Sequence, residues 1–274
     1  PAVMTGGGWV DAEDLFGTLE TYRNVEKSSP GAYNTLVMGP WVHGGWSRTT
    51  GERLGDVRFG AKTSEFYREN IEFPFFSYFL KGRTDPKLPE AYAFETGRNQ
   101  WHTLDAWPPK TVQARSLYLS AGGRLVLDQA PTDTSSTAYD EYVSDPANPV
   151  PYTAAVATVM TQEHMIEDQR FAARRSDVLA YRSEVLAEDV TFAGPIVASL
   201  HVATSGTDSD FVVKLIDVYP DNYQEALALN GPASGGSSSR LGGYQQLVRG
   251  EAFRGKFRNS FEKPEPFQPN VPAK

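Results

Sequence analysis

Pro1-Ala-Val-Met-Thr-Gly-Gly-Gly-Trp-Val10 runs straight into Asp11, and Thr35-Leu-Val-Met-Gly39 runs into Pro40-Trp41-Val42-His43. Each is a short β-like run that ends in turn-forming residues. Between them, residues 12–27 place Leu15, Leu19, Tyr22 and Val25 at helical spacing, an amphipathic helix of about four turns. Ser28-Ser29-Pro30-Gly31 ends that helix, and a compact apolar strand over 33–38 follows. The pattern sets a carboxylate at one strand end and an imidazole just past the next, with a helix between. It predicts an α/β arrangement for the first part of the chain.

The same alternation continues to about residue 108. A polar, Gly-rich loop over 39–55 carries His43. A second helical stretch covers 63–80, where Pro74 predicts a kink or a new first turn, and Gly82 caps it. Residues 91–96 read as one more strand. Trp107-Pro108-Pro109 is a plausible boundary, which divides the chain into 1–109 and 110–274.

Beyond it, short alternating strands are predicted at 114–120, 177–182, 190–192, 196–202 and 211–217. Gly194-Pro195 and Ser205-Gly206-Thr207-Asp208 are the clearest turns between them. That texture predicts an antiparallel sandwich or jelly roll. Residues 129–153, rich in Asp, Ser, Thr and Pro, read as a surface excursion, and the Gly/Ser tract over 230–243 as a mobile loop. The Pro-rich end offers no closing strand, so the second domain is expected to be incomplete.

Composition limits the partners. The chain has 274 residues, of which 40 % are hydrophobic and 12 % aromatic, enough for a large core. Lys plus Arg number 26 against 34 for Asp plus Glu, with no basic stripe, so neither nucleic acid nor an anionic membrane surface is an expected partner. Without cysteine, disulfides, thiolate catalysis and Cys-ligated zinc are excluded. No apolar run approaches the roughly 18 residues needed to span a bilayer as a helix.

The candidate chemistry is a hydrolase pair. In a Ser-His-Asp triad the Asp accepts the Nδ1–H of the His, which fixes the tautomer and stabilises the imidazolium that forms. Gly39-Pro40-Trp41-Val42-His43-Gly44-Gly45-Trp46 provides a loop that is free at its glycines and anchored by aromatic packing. In α/β-hydrolases the order along the chain is Ser, then Asp or Glu, then His. Asp11 and His43 supply the last two in that order, and no Gly-x-Ser-x-Gly elbow occurs. The nucleophile is therefore expected upstream of Pro1. The simplest alternative for Asp11 is a helix N-cap, and Asp14 is similarly placed. Trp41 and Trp46 either line an acyl pocket or pack beneath the loop. His102, His164 and His201 match no zinc spacing. Asp208 and Asp210 supply too few oxygens for calcium, which takes about six to eight.

Gly8-Trp9-Val10-Asp11-Ala12-Glu13-Asp14-Leu15-Phe16-Gly17, followed by Met38-Gly39-Pro40-Trp41-Val42-His43-Gly44, resembles the Asp and His motifs of the X-Pro dipeptidyl-peptidase / cocaine esterase superfamily. Within it the α-amino-acid ester hydrolases and glutaryl-acylase-type members are the nearest likeness. The resemblance continues through Phe73-Pro74-Phe75-Phe76-Ser77-Tyr78-Phe79-Leu80-Lys81-Gly82 and the segments at 208–220, 243–250 and 254–264, so it spans nearly the whole chain.

The resemblance implies the C-terminal part of an α/β-hydrolase domain plus a jelly-roll β-sandwich, both incomplete, with Asp11 as triad acid and His43 as general base. It implies acyl transfer without metal or organic cofactor, on α-amino-acid esters, β-lactam amides or X-Pro peptides. It implies a small-molecule ester, amide or short-peptide substrate, the remainder of the parent hydrolase as partner, and a bacterial periplasmic or secreted setting rather than a cytoplasmic one. Homo-oligomerisation is left open. The chain alone is expected to be inactive. The alternatives are a true X-Pro dipeptidyl-peptidase and, from another class, a non-catalytic β-sandwich module that binds carbohydrate or protein.

Overall fold

The structure, a computed structural model, describes residues 2–132, 138–159, 161–223 and 241–274. Its first part is built on a four-stranded sheet. Strand β1 (Ala2–Gly8) pairs in parallel with β2 (Tyr33–Gly39), in register from Ala2 opposite Tyr33 to Gly8 opposite Gly39. Helix α1 (Leu15–Ser28) makes the crossover between them. After β2 come a short helix α2 (Gly45–Arg48) and a small hairpin of β3 (Arg53–Leu54) and β4 (Val57–Arg58). Helices α3 (Thr63–Tyr67) and α4 (Phe73–Lys81) then lead to β5 (Ala91–Glu95) and β6 (Gln100–Leu104). The sheet order is β1-β2-β5-β6, with β2–β5 parallel and β5–β6 antiparallel.

Strand β2 is covered on both faces, as a central parallel strand must be. Its side chains alternate between two apolar clusters. Leu36 and Met38 join Tyr22 and Ala91, with Leu15 and Leu19 of α1 packed against them. Val37 joins Trp41, Tyr67 and Ile71, with Trp46, Phe66 and Trp101 around them. One face of the sheet is thus closed by α1 and the other by the α3–α4 region, which makes three layers.

Of the kink or new first turn expected at Pro74, the second helical stretch shows the new first turn. The helical turns from α3 pass into a π-helical turn at Arg68–Glu72, and α4 follows without a break, with Pro74 in its first turn. Pro74 has no N–H to give to the preceding turn, and a widened turn before it accommodates that loss while the helix continues. Gly82 closes α4 at φ 62°, and its N–H donates to carbonyls of the last turn. Strand β6 was not foreseen. It returns along β5 through a tight turn in which Gly97 and Asn99 both take positive φ.

Beyond residue 110 the regular structure is antiparallel. Strand β7 (Leu117–Ser120) pairs with β8 (Arg124–Leu127), and β9 (Asp210–Val218) pairs with β10 (Gln245–Arg254). A 3₁₀ turn at Glu163–Ile166 and a short helix α5 (Arg170–Ala173) lie between these pairs. The strands expected at 177–182, 190–192 and 196–202 do not form ladders. The first and third make only isolated bridges, Arg124 to Arg182 and Val202 to Ala273, the second makes none, and among the described residues the two ladders do not join into a sandwich. Alternation of apolar residues marks a face but supplies no hydrogen-bonding neighbour. Val190, Phe192, Ile196 and Val197 accordingly remain exposed. The described part of the 129–153 excursion lacks regular structure beyond single turns. Most of the Gly/Ser tract, through residue 240, lies outside the described residues.

Candidate active site

The site forms where β1 and β2 end side by side. Past Gly8 and Gly39 the two chains stay joined: Trp9 N–H donates to the Gly39 carbonyl at 2.8 Å, and Val10 N–H to the Trp41 carbonyl at 3.3 Å. This close approach needs glycine. A Cβ on Gly8 would lie 1.9 Å from the Trp41 carbonyl oxygen, and one on Gly39 would enter the Trp41 ring.

Asp11 sits just beyond, with 1 % of its surface exposed. Its Oδ1 accepts the backbone N–H groups of Glu13 at 2.8 Å and Asp14 at 3.0 Å. Its Oδ2 lies 3.1 Å from His43 Nδ1. The capping and the catalytic alternatives for Asp11 are therefore compatible: one oxygen organises the turn before α1, and the other faces the imidazole. Residues 12–14 are held in that turn, which is why the helix begins at Leu15 and not at residue 12. Asp14 lies 3.8 Å from the same ring nitrogen with its side chain 64 % exposed, a poorer partner in distance and in burial.

His43 is fixed from three sides. Its carbonyl accepts from Arg48 Nη2 at 2.5 Å, Gly44 turns the chain at φ 68°, and Gly45 N–H donates back to the Val42 carbonyl at 2.9 Å. The Trp46 ring meets the imidazole edge-on at 6.3 Å. A carboxylate only accepts hydrogen bonds, so the short contact to Asp11 assigns the proton to Nδ1. The other ring nitrogen, Nε2, has no hydrogen-bond partner among the described residues, and the side chain is partly open to solvent. This is the arrangement a general base requires: one nitrogen anchored, the other carrying a free lone pair.

Trp41 and Trp46 have different places. Trp41 is buried at 2 % exposure, packed against Trp46, Tyr67 and Trp101. Its Nε1–H donates to Thr63 Oγ1 at 2.9 Å, and that hydroxyl donates to the Gly51 carbonyl at 2.8 Å. Trp41 is a post beneath the His43 loop and offers no surface to a substrate. Trp46 is half-buried and bridges that post to the imidazole.

A small crevice opens beside His43. Val10, Glu13 and His43 line it from the first part of the chain, and Thr161, Gln162 and His164 from the second. His164 is buried, and its Nδ1 is paired with the Thr161 carbonyl. Sequence inspection missed this wall, because residues 161–164 carry no local motif. Three of the remaining groups are paired elsewhere. His102 meets Glu95 Oε2 at 2.7 Å, Asp210 takes Arg254 in a two-pronged pair, and Asp208 accepts the Lys256 N–H at 3.1 Å. Among the described residues no group of three or more acidic or histidine side chains is placed to hold a metal ion.

Comparison with known proteins places the chain. The family of the X-Pro dipeptidyl-peptidase C-terminal non-catalytic domain matches residues 85–274, a stretch that begins after Asp11 and His43. Cocaine esterase of Rhodococcus sp. (strain MB1 Bresler) is 32 % identical over 240 residues, which cover 83 % of this chain and 40 % of that protein. Among solved structures, an aminopeptidase from a marine sediment Thaumarchaeota archaeon superposes with a TM-score of 0.86 at 35 % identity, covering 99 % of this chain and 43 % of that one. An α-amino acid ester hydrolase superposes with a TM-score of 0.82 at 34 % identity, covering 98 % and 43 %. The chain thus spans less than half the length of these relatives. It belongs to the X-Pro dipeptidyl-peptidase / cocaine esterase superfamily of hydrolases.

Proposed function

We propose that Asp11 and His43 are the acid and base of a serine-hydrolase triad, whose nucleophilic serine lies outside these 274 residues. The observation that carries this reading is the 3.1 Å contact between Asp11 Oδ2 and His43 Nδ1, made by a fully buried carboxylate, with Nε2 left unpartnered among the described residues. His43 Nε2 takes the serine hydroxyl proton as the serine oxygen attacks the substrate carbonyl. The same proton then goes to the departing alcohol or amine. Water repeats the sequence to release the acid. Asp11 stays ionised throughout and stabilises the imidazolium. No metal or organic cofactor is called on. In the whole enzyme, the antiparallel pairs beyond residue 110 are expected to belong to a jelly-roll β-sandwich. The same contact counts against a purely carbohydrate- or protein-binding module.

The substrate is an ester or amide of an α-amino acid. Glu13 lines the crevice beside His43, and Asp14 approaches the same ring. Among the described residues neither carboxylate has a lysine or arginine partner, so both are available to a substrate ammonium group. A second reading, cleavage of X-Pro peptides, is favoured by the matched family and by the aminopeptidase likeness, and it uses the same triad.

The test pairs this chain with the complete hydrolase. The 274-residue chain should turn over no nitrophenyl ester above background. In the complete enzyme, Asp11→Asn should lower turnover by about 10⁴, by analogy with the same change in a serine-protease triad. Near-normal activity in that variant would overturn the assignment, as would His43-independent turnover by the chain alone. Phenylglycine ester assayed against Ala-Pro-anilide separates the two substrate readings.

A further inference from the structure

We infer that Arg249, on strand β10, is a positioning residue for the Asp11–His43 pair, an inference that rests on the triad proposed above. Its Nη1 donates to the Asp11 backbone carbonyl at 3.2 Å, across 238 positions of sequence. Its Nη2 is held by Glu251 on the same strand. The side chain is 21 % exposed, whereas that of Glu251 is 69 % exposed, so the guanidinium points inward and its counter-ion faces solvent.

The strand is shaped for this contact. The β9–β10 ladder slips between Leu247 and Arg249, which leaves Val248 without an opposite number and sets Arg249 across from Leu215. A regular ladder would bring Val248 to that position. Bulges of this kind redirect a side chain, and here the redirected group is the cation that reaches Asp11. Glycine at 250 fits the same tight geometry, since a Cβ there would lie 3.0 Å from the Lys214 side chain.

The target matters as much as the reach. The Asp11 carbonyl belongs to the turn that precedes α1, outside the helical ladder, and a charged donor is a strong partner for it. That turn also presents the Glu13 and Asp14 amides to Oδ1, and thereby aims Oδ2 at His43. Arg249 clamps the turn from the main-chain side while the two amides hold it from the side-chain side. The C-terminal part of the chain, distant in sequence from both triad members, thus sets the direction of the catalytic acid.

Amide exchange followed by NMR tests the clamp. In Arg249→Met, the Glu13 and Asp14 amides should exchange at least tenfold faster, while those of Leu36 and Val37 in β2 hold their rates. The low-field Nδ1 proton resonance of His43 should broaden with them. Arg249→Lys, which keeps a cationic donor of similar reach, should restore most of the protection. Arg249→Gln is polar but too short to span the gap, so it carries the same expectation as Met should that variant fail to fold. Unchanged exchange at 13 and 14, or acceleration spread evenly over the sheet, would overturn the clamp. Asp11→Asn in the same chain separates the two claims: if the Nδ1 resonance survives there, the triad pairing is wrong whatever Arg249 does.

Discussion

Replacing Gly8 by alanine probes the junction on which the site is built, and the sign of its effect is informative. Gly8 does not have positive φ, so alanine is conformationally allowed there. With no clash, the change should stabilise the protein by about 0.4–1 kcal/mol through the unfolded chain. The structure demands the opposite. The new Cβ would lie 1.9 Å from the Trp41 carbonyl oxygen, whereas ordinary contact begins at 3.4 Å, so one side must move by 3.4 − 1.9 = 1.5 Å. Neither side yields easily, because Trp41 is buried and tied to Thr63, and Trp9 is tied to Gly39. Overpacking costs about 1–3 kcal/mol, and the two hydrogen bonds that join the strand ends are worth about 1 kcal/mol each. The net loss is about 2–4 kcal/mol, or a melting point lower by roughly 5–15 °C for a chain of this size. The same displacement carried along to His43 would open the Nδ1–Oδ2 distance from 3.1 Å to about 4.6 Å. Thermal denaturation followed by circular dichroism, with the His43 ring observed by NMR, reads both effects. An unchanged or raised melting point in Gly8→Ala would refute the account of this junction.

Two further substitutions probe neighbouring links. Thr63→Val keeps the shape but removes the hydroxyl between Trp41 Nε1–H and the Gly51 carbonyl, which leaves two buried groups unpaired; urea unfolding should show a loss of about 2–4 kcal/mol. Glu95 accepts from the Thr191 hydroxyl, from His102 and from Gln100, and these bonds hold its carboxyl below the ordinary value of 4.5. A depressed folded-state pKa stabilises the fold above the unfolded value, and that contribution is lost as pH falls through the folded one. Wild type should therefore be more stable than Glu95→Gln at neutral pH, with the gap closing below pH 4.5. Parallel acid-melting curves with a constant gap would contradict it.

The sheet that carries the site was largely legible in sequence, because its signals are local. The run 33–38 is apolar on both faces, and Leu15, Leu19 and Tyr22 mark the face of α1 that packs on it. Strand β6 escaped notice because its identity depends on the turn at 96–99 and on β5 as a partner, with little alternation of its own. Beyond residue 110 the difficulty is the reverse. The runs at 177–202 have the alternation of strands, yet only single bridges engage them. Within the site, Asp11 and His43 were marked by their loops and by resemblance, while the depth of Trp41 followed only from its packing against Tyr67 and Trp101. That Gln162, His164 and Arg249 lie beside the site was not legible, for one shared reason. Their importance comes from tertiary proximity to residues more than a hundred positions away, which no window along the chain records.

The most direct measurement of the central claim is the tautomer of His43 in the neutral state, read from the ¹⁵N shifts of its ring. Free imidazole side chains favour the proton on Nε2. The account predicts the proton on Nδ1, bonded to Asp11, with Nε2 bare and ready to accept a serine proton, and it predicts that Asp11→Asn reverses this. A His43 ring that carries its proton on Nε2 in the unaltered chain would contradict it.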